Sequence, residues 1–235
     1  MPNDLSIPNH RSRRNGWRTE PLYTIREAAH LAHVSSNTVR RWLYGYAPDP
    51  RRPDDKSPPI FGESPESPFV SFLQLVEIVI ASDFRKVSHV NLDKVREAYG
   101  EARASWRVDY PFAHLNLESL GSRIIQWIKG EDRTAQVVTA REQWSLPGLV
   151  TQEIRKLDYE EDLAARWYPV GKDMPIVVDP LFSSGLPTIT GRGVTVDAIY
   201  RRWKAGHRIE FIATDLQVDT ALIERALQYA DQIAA

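Results

Sequence analysis

The stretch from Tyr23 to Leu43, YTIREAAHLAHVSSNTVRRWL, decides the fold of the N-terminal part of the chain. Thr24 and Glu27 have the spacing of a capping box, in which each side chain binds a backbone N–H at the start of a helix. The helix that follows has an apolar stripe formed by Ile25, Ala28, Ala29 and Leu31. The residues from 32 to 34 then predict a turn.

A second short helix is predicted directly after this turn. Ser35 is suited to cap it, and three apolar residues follow at helical spacing: Val39, Trp42 and Leu43. Two helices of about two turns joined by three to four residues are typical of a helix-turn-helix. If the apolar residues face the core, the polar residues of this helix face outward. Their side chains can form hydrogen bonds with base edges and phosphates. The candidate DNA-binding residues on this helix are Ser36, Asn37, Thr38, Arg40 and Arg41.

The charge of the chain is uneven. The whole sequence of 235 residues has a net charge of −1, yet residues 1–53 contain nine arginines and four acidic residues, nine minus four giving +5. A basic end on a near-neutral protein is expected when one part of it meets phosphate. Residues 1–22 have the composition of a basic tail. A solvated tail is the favoured interpretation, and an arm in the minor groove is the alternative.

Proline dominates residues 44–68, which excludes a helix or a central strand there. We expect a long exposed loop or wing with Arg51 and Arg52 near its tip, and both are further candidate DNA contacts. A short extended entry and a deeply buried helix are predicted over Phe69 to Lys86. Asn91 caps another helix that ends near Trp106. These two helices form the predicted hub.

The rest of the chain predicts a small sheet followed by helices. Residues 123–129, 136–139 and 166–170 are rich in β-branched and aromatic side chains. A strand at 176–178 precedes a glycine-rich turn, and three helices are predicted at about 196–204, 207–213 and 219–233. The expected fold is mainly α with a small β element: a winged helix-turn-helix, a hub with a sheet, and a three-helix domain. The expected boundaries are 1–22, 23–115, 116–175 and 176–235.

The segment from Tyr23 to Trp42 resembles the helix-turn-helix of the MerR and excisionase type. The resemblance implies a second helix in the major groove and a wing on the DNA backbone. One departure is His33, because the family commonly has glycine at this turn. Histidine is among the residues that better tolerate a positive φ, so the turn remains feasible.

The order of motifs along the chain resembles that of larger VapB-type antitoxins. The matching residues are the MerR-like segment, the hub helix, Arg166-Trp167-Tyr168-Pro169, Val178-Asp179-Pro180 and the glycine-rich run from Gly185 to Val194. The last match is the helical pattern from Asp219 to Ala230. This resemblance implies an antitoxin that binds operator DNA, represses its own operon and neutralises a VapC-like ribonuclease of the PIN-domain fold. Candidate toxin contacts are Arg201, Arg202 and Arg208.

Two questions stay open at this point. The last predicted helix exposes three acids and one base, which favours a protein interface over a second DNA-binding surface there. The alternative function is a MerR-like regulator that senses a small ligand in the central region. An enzyme is not expected, because no phosphate-binding loop, metal-ligand spacing or nucleophile motif is present. No cofactor is expected. The sequence favours a cytoplasmic homodimer, with no cysteine and no apolar run long enough for a membrane.

Overall fold

The computed structural model describes residues 16–46, 57–62, 64–88, 91–115, 117 and 152–234. Within these residues the protein is mainly helical and carries small two-stranded sheets, as predicted. The segments 123–129 and 136–139, predicted as strands, and Arg51 and Arg52 lie outside the described residues.

The N-terminal part contains five α-helices and two strands among its described residues. In chain order they are α1 (Gly16–Thr19), β1 (Pro21–Thr24), α2 (Ile25–Leu31), α3 (Ser36–Tyr44), β2 (Phe69–Ser71), α4 (Phe72–Ser88) and α5 (Leu92–Trp106). A 3-10 turn, Pro111–Ala113, follows. The C-terminal part contains β3 (Leu157–Glu160), β4 (Leu163–Trp167), β5 (Ile176–Val177), β6 (Thr188–Ile189), α6 (Val196–Lys204), α7 (Ile209–Leu216) and α8 (Thr220–Ala234).

The caps predicted for the helix-turn-helix are present. The Thr24 hydroxyl accepts from the Glu27 backbone N–H at 3.2 Å, and the Thr24 backbone N–H donates to Glu27 Oε2 at 2.8 Å. The Ser35 hydroxyl accepts from the backbone N–H of Thr38 at 3.0 Å. His33 has a φ of +52°, which confirms that the turn between α2 and α3 tolerates histidine.

Helix α4 forms the centre of the larger core. It is apolar nearly all round, and its buried side chains are Phe72, Leu73, Leu75, Val76, Ile78, Val79, Ile80, Ala81 and Phe84. Such a helix must be covered on every side. The covering elements are α1, α2, α5, β1, β2, β4 and the 3-10 turn. The Ser82 hydroxyl donates to the carbonyl of Ala32 at 3.2 Å, which ties α4 to the turn of the helix-turn-helix.

The proline-rich loop is anchored at its second end, so the prediction of an exposed loop throughout 44–68 was wrong there. Ile60 is buried, and its backbone N–H donates to the carbonyl of Trp42 at 2.8 Å. Arg96 of α5 donates to Ser57 Oγ at 2.8 Å and to the carbonyls of Pro58 and Pro59. We call residues 57–62, 64 and 65 the wing base. Its carbonyl oxygens accept hydrogen bonds from the hub. Proline excludes regular secondary structure here, so these carbonyls need partners from elsewhere in the fold.

Part of the predicted basic tail is folded, which corrects the prediction for residues 16–22. Gly16–Thr19 is a short helix, and Arg18 within it is buried. The Arg18 guanidinium donates to the carbonyl of Glu160 at 2.9 Å and to Glu160 Oε2 at 3.1 Å. Glu160 lies 142 residues from Arg18 in the sequence, so no local sequence pattern predicts this contact.

Strands β3 and β4 form an antiparallel hairpin, which includes the first part of the segment predicted as strand at 166–170. Glu161 and Asp162 form its two-residue turn with φ values of 51° and 66°, as in a type I′ turn. The hairpin belongs to the larger core through Leu157, Ala164 and Trp167. Trp167 also bridges to Val178, so the hairpin joins the two parts of the protein.

The three C-terminal helices have their own core. Helix α6 has the predicted bounds, α7 begins two residues later than predicted and extends to Leu216, and Asp219 caps α8 through the backbone N–H of Ala221 at 2.8 Å. The buried residues of this core include Ile199, Ile212 and Ile223. The described residues of the C-terminal domain thus confirm the three-helix prediction.

The turn between α7 and α8 repeats the geometry of the turn between α2 and α3. Gln217 takes the place of His33, with a φ of +54°. The next residue is valine in both turns, and its N–H donates five residues back: Val34 to the carbonyl of Ala29 at 2.9 Å, and Val218 to that of Ala213 at 3.0 Å. A capping residue then starts the second helix. The chain therefore contains two similar helix-turn-helix units.

Tyr23 joins the N-terminal and C-terminal parts of the protein. The Tyr23 hydroxyl donates to the carbonyl of Gly185 at 3.0 Å, in a buried contact between β1 and the 3-10 turn Ser183–Gly185. Gly185 has a φ of +69°, and a Cβ atom there would lie 2.2 Å from the Tyr23 hydroxyl oxygen. Only glycine fits this contact without movement of β1.

We expect Gly185→Ala to destabilise the protein more than Gly191→Ala. Gly191 has a similar φ of +74°, but nothing lies within 4 Å of the place that a Cβ atom would take there. Gly191→Ala therefore carries only the cost of a positive φ, about 1–2 kcal/mol. Gly185→Ala adds the steric conflict with Tyr23 and the loss of its hydrogen bond, which costs about 1 kcal/mol more. Urea unfolding of both variants measures the difference, and equal losses would contradict the contact.

Candidate nucleic-acid interface

Helix α3 presents a polar, positively charged face to solvent. Asn37, Arg40 and Arg41 are exposed, while Val39, Trp42 and Leu43 are buried beneath them. Positions 37, 40 and 41 are three and four residues apart, so they share one side of the helix. No acidic residue lies within α3. The structure thus brings together three of the predicted contacts on one surface.

Arg41 is held in place by an aromatic ring. Its guanidinium carbon lies 4.6 Å from the centre of the Tyr46 ring, which is within the range of a cation–π contact. Tyr46 pairs with Ser57 of the wing base in an isolated β-bridge. Arg41 is therefore positioned by the wing side of the helix-turn-helix. The sequence does not single out Tyr46, since its ring acts only through this tertiary contact.

The other predicted contacts on α3 are less available. Ser36 and Thr38 are half-buried. The Thr38 hydroxyl lies 2.8 Å from Ser35 Oγ, and its backbone N–H is taken by the Ser35 cap. Thr38 is thus part of the helix start, and its role as a DNA contact stays a prediction.

The second helix-turn-helix unit has a different surface. When the two units are aligned on their capping residues Ser35 and Asp219, Glu224 takes the place of Arg40 and Arg225 that of Arg41. Five residues on α8 or at its cap are exposed, as predicted: Asp219, Glu224, Arg225, Gln228 and Asp231. Phosphate is repelled by carboxylates in this arrangement. The same backbone geometry therefore carries a basic surface on α3 and a net acidic surface on α8.

The three predicted partner contacts lie close together in the chain, on α6 and just before α7. Arg201 is exposed and forms an ion pair with Asp197 at 2.6 Å. Arg202 forms an ion pair with Asp215 of α7. Arg208 is exposed at the start of α7, and no ion pair of it is found among the described residues.

Exposed aromatic rings accompany these arginines. Trp203 and Phe211 are 37% and 55% exposed, which is unusual for such large apolar side chains. The Lys204 ammonium lies 5.0 Å from the centre of the Trp203 ring, and the His207 and Phe211 rings are 5.2 Å apart. Aromatic and arginine side chains are enriched in protein interfaces. We call Arg201, Arg202, Trp203, Lys204, Arg208 and Phe211 the α6–α7 surface.

A cavity of about 600 Å³ lies between the hairpin and the C-terminal sheet. Its wall includes Tyr168, Val177 and Ile189, and its charged groups are Arg166 and Asp179. These two bind each other, with Arg166 Nε donating to Asp179 Oδ2 at 2.8 Å. The neighbouring side chains of Leu181 and Phe182 are exposed.

The described part of the chain offers neither a metal-binding cluster nor a membrane span. No three histidine or acidic side chains within it are placed to hold a metal ion together. None of the helices described is both long and apolar enough to cross a membrane.

Two protein families match parts of this chain. Residues 21–99 match a family described as "Putative DNA-binding HTH domain", and this range contains α2, α3, the wing and most of the hub. Residues 176–230 match a "Protein of unknown function (DUF433)" family, and this range contains β5, β6, α6, α7 and most of α8. The helix-turn-helix of residues 21–99 is thereby supported as a DNA-binding domain.

Two mycobacterial proteins are similar to nearly the whole chain. An uncharacterized protein, Rv2308 of Mycobacterium tuberculosis, is 28% identical over 221 residues, which cover 88% of this chain and 89% of that protein. The X-ray crystal structure of Rv2018 from Mycobacterium tuberculosis superposes with a TM-score of 0.67 at 19% identity. The match covers 89% of this chain and 99% of that chain. The fold described above is therefore shared with a solved protein.

We expect Arg40→Ala combined with Arg41→Ala to weaken binding to duplex DNA selected by the wild-type protein from a random library. If both arginines touch phosphate, the plot of log affinity against log salt concentration flattens by up to about two units of slope. Electrophoretic mobility shifts at several salt concentrations measure this. The matched control, Arg192→Ala with Arg201→Ala, removes the same formal charge elsewhere and should bind as wild type. Wild-type binding by the Arg40/Arg41 variant would refute the assignment.

Proposed function

We propose that this protein is a DNA-binding transcriptional regulator that represses its own operon. The observation that carries the proposal is the exposed Asn37, Arg40 and Arg41 face of α3, on a helix-turn-helix with both predicted caps in place. Arginine binds guanine edges or phosphate through paired N–H groups, and asparagine can pair with adenine. The protein acts by binding, without catalysis.

The regulator acts as a homodimer in the cytoplasm. Helix α3 has nine residues, and Asn37, Arg40 and Arg41 are its exposed polar side chains. One such helix distinguishes few base pairs, so helix-turn-helix proteins commonly bind two half-sites related by a two-fold axis. An operator with inverted repeats is therefore part of the proposal.

The second role that we propose is that of a VapB-type antitoxin. Its support is the resemblance in the order of motifs, together with the α6–α7 surface, which combines exposed aromatic rings with arginine and lysine. The partner is a VapC-like ribonuclease with a PIN-domain fold. Such enzymes hold their metal with acidic residues, so a basic and aromatic surface is complementary to that site.

We expect the full chain to co-purify with a PIN-domain ribonuclease encoded beside its gene and to suppress the ribonuclease activity. Arg201→Ala, Arg202→Ala and Arg208→Ala together should release the toxin. Loss of two or more charged interface contacts weakens a complex by about tenfold or more. The matched control is the Arg40→Ala and Arg41→Ala protein, which should retain the toxin while losing DNA.

The two roles fail separately in this experiment. If the protein binds operator DNA but does not retain the ribonuclease, the antitoxin role is refuted and the regulator role stands. Retention of the toxin by the triple variant, with a melting temperature near that of wild type, would move the toxin contact away from the α6–α7 surface.

A second candidate function is a regulator that senses a small ligand and has no toxin partner. The observation that favours it is the cavity of about 600 Å³ beside Tyr168 and Asp179, within the size range of small-molecule sites. The genes beside this one distinguish the candidates, since a PIN-domain reading frame favours the antitoxin. Genes of an effector pathway favour the sensor.

A further inference from the structure

A smaller cavity lies beneath the helix-turn-helix. It has a volume of about 300 Å³ and is bounded by Leu43 at the end of α3, by Phe61 and Pro65 of the wing base, and by the hub. It therefore touches the two elements that would face DNA. Glu77 of α4 and Tyr99 of α5 line its inner side.

Glu77 is a buried carboxyl group with an unused acceptor. The side chain is 1% exposed, and its Oε2 lies 3.4 Å from the Tyr99 hydroxyl, whose shorter hydrogen bond goes to the carbonyl of Asp109 at 3.0 Å. Its other oxygen, Oε1, has no hydrogen-bond partner among the described residues. A buried polar atom without a partner is costly, so a ligand that donates a hydrogen bond there gains binding energy.

Burial raises the pKa of Glu77 well above its usual range, and hydrogen bonds from the Phe112 backbone and from Tyr99 offset only part of this. The other titratable groups that face Glu77 are Tyr99, Arg103, Asp109 and Tyr110. A cation placed beside Glu77 would favour its charged form and lower its pKa. Binding of a cation should therefore release a proton from this carboxyl group.

Three aromatic rings line the same cavity as the carboxyl group. The Phe61 and Tyr99 rings meet edge to face, with centres 5.4 Å apart, and Tyr110 adds a third ring to the lining. Ring faces attract ammonium groups, and a carboxylate together with such rings forms a typical site for organic cations. The geometry provides both in one small space.

The cation already present at this cavity, Arg103, acts on Glu77 through its charge, while its ion pair is with another carboxylate. Arg103 forms an ion pair with Asp109 at 3.3 Å, and its side chain is 42% exposed. In the larger cavity the two charged groups, Arg166 and Asp179, bind each other, so that neither is left for a ligand. Among the two cavities described, the smaller one therefore holds the carboxyl group that a ligand can satisfy.

We propose that this cavity binds a small primary ammonium compound, whose ammonium group pairs with the Glu77 carboxyl group and lies against the Phe61 and Tyr99 rings. A ligand here contacts both Leu43 of α3 and the wing base, and so links its binding to the DNA-facing elements. That link rests on the proposed regulator function, whereas the binding of the amine does not.

Titration calorimetry of the full chain at neutral pH tests the site with butylamine and with 1-butanol, which has a hydroxyl in place of the ammonium group. We expect butylamine to bind about tenfold more tightly or better, from the carboxylate and the rings together. Titrations in two buffers with different ionisation enthalpies should show a proton released on binding. Equal binding of the two compounds, or no heat from either, would overturn the proposal.

Variants distinguish the two parts of the site. Glu77→Gln keeps the shape of the side chain but removes its charge. It should lower the affinity for butylamine about tenfold, to the level measured for 1-butanol, and it should abolish the proton release. Phe61→Leu should lower the affinity for butylamine but not that for 1-butanol. Tyr99→Phe retains the ring, and its affinity for butylamine should lie within a few-fold of the wild-type value. Wild-type affinity and proton release in a folded Glu77→Gln protein would refute the site.

Operator binding with and without butylamine then tests the link to DNA. A change in operator affinity that disappears in Glu77→Gln supports the link, and an unchanged affinity refutes it. If the protein binds no operator at all, the regulator proposal fails, and the calorimetric result on the amine site still stands.

Discussion

The structure depends on the burial of α4. This helix is apolar nearly all round, and covering it recruits the helix-turn-helix, the hairpin β3–β4 and the 3-10 turn Pro111–Ala113. The helix-turn-helix alone is too small to bury a core of its own, so its short helices are stable because α4 completes them. Two polar groups buried on α4 mark its contacts: Ser82 binds the turn at Ala32, and Glu77 lies at the cavity beneath α3.

The two helix-turn-helix units show how backbone geometry and surface chemistry separate. Both turns have a residue at positive φ, then a valine, then a capping residue, because this sequence of conformations ends one helix and starts the next in few residues. The exposed positions have no part in this geometry. Arg40 and Glu224 can therefore occupy equivalent places, so the same backbone geometry carries a basic residue in one unit and an acidic residue in the other.

Contacts between residues far apart in the sequence hold the protein together. Arg18 binds Glu160, Tyr23 binds Gly185, and Trp167 bridges to Val178. Each contact links a segment predicted as tail, helix start or strand to a partner beyond the reach of local spacing. The acidic residues at 158–162 lie in a hairpin, and one of them, Glu160, is the partner of Arg18. Tertiary pairing, and not local preference, decides such segments.

The sequence by itself determined the local features: the caps at Thr24 and Ser35, the turn at His33, the apolar run of α4, the three C-terminal helices, and the exposed arginines of α3. These follow from periodicity and capping, which act over three or four residues. Only the tertiary structure decided which side chains meet. The clamp of Arg96 on the wing base, the ring of Tyr46 beside Arg41 and the cavity at Glu77 all need partners from other elements, which no local spacing encodes. The helix-turn-helix from Tyr23 to Leu43 was thus predictable, whereas the surroundings that position it were not.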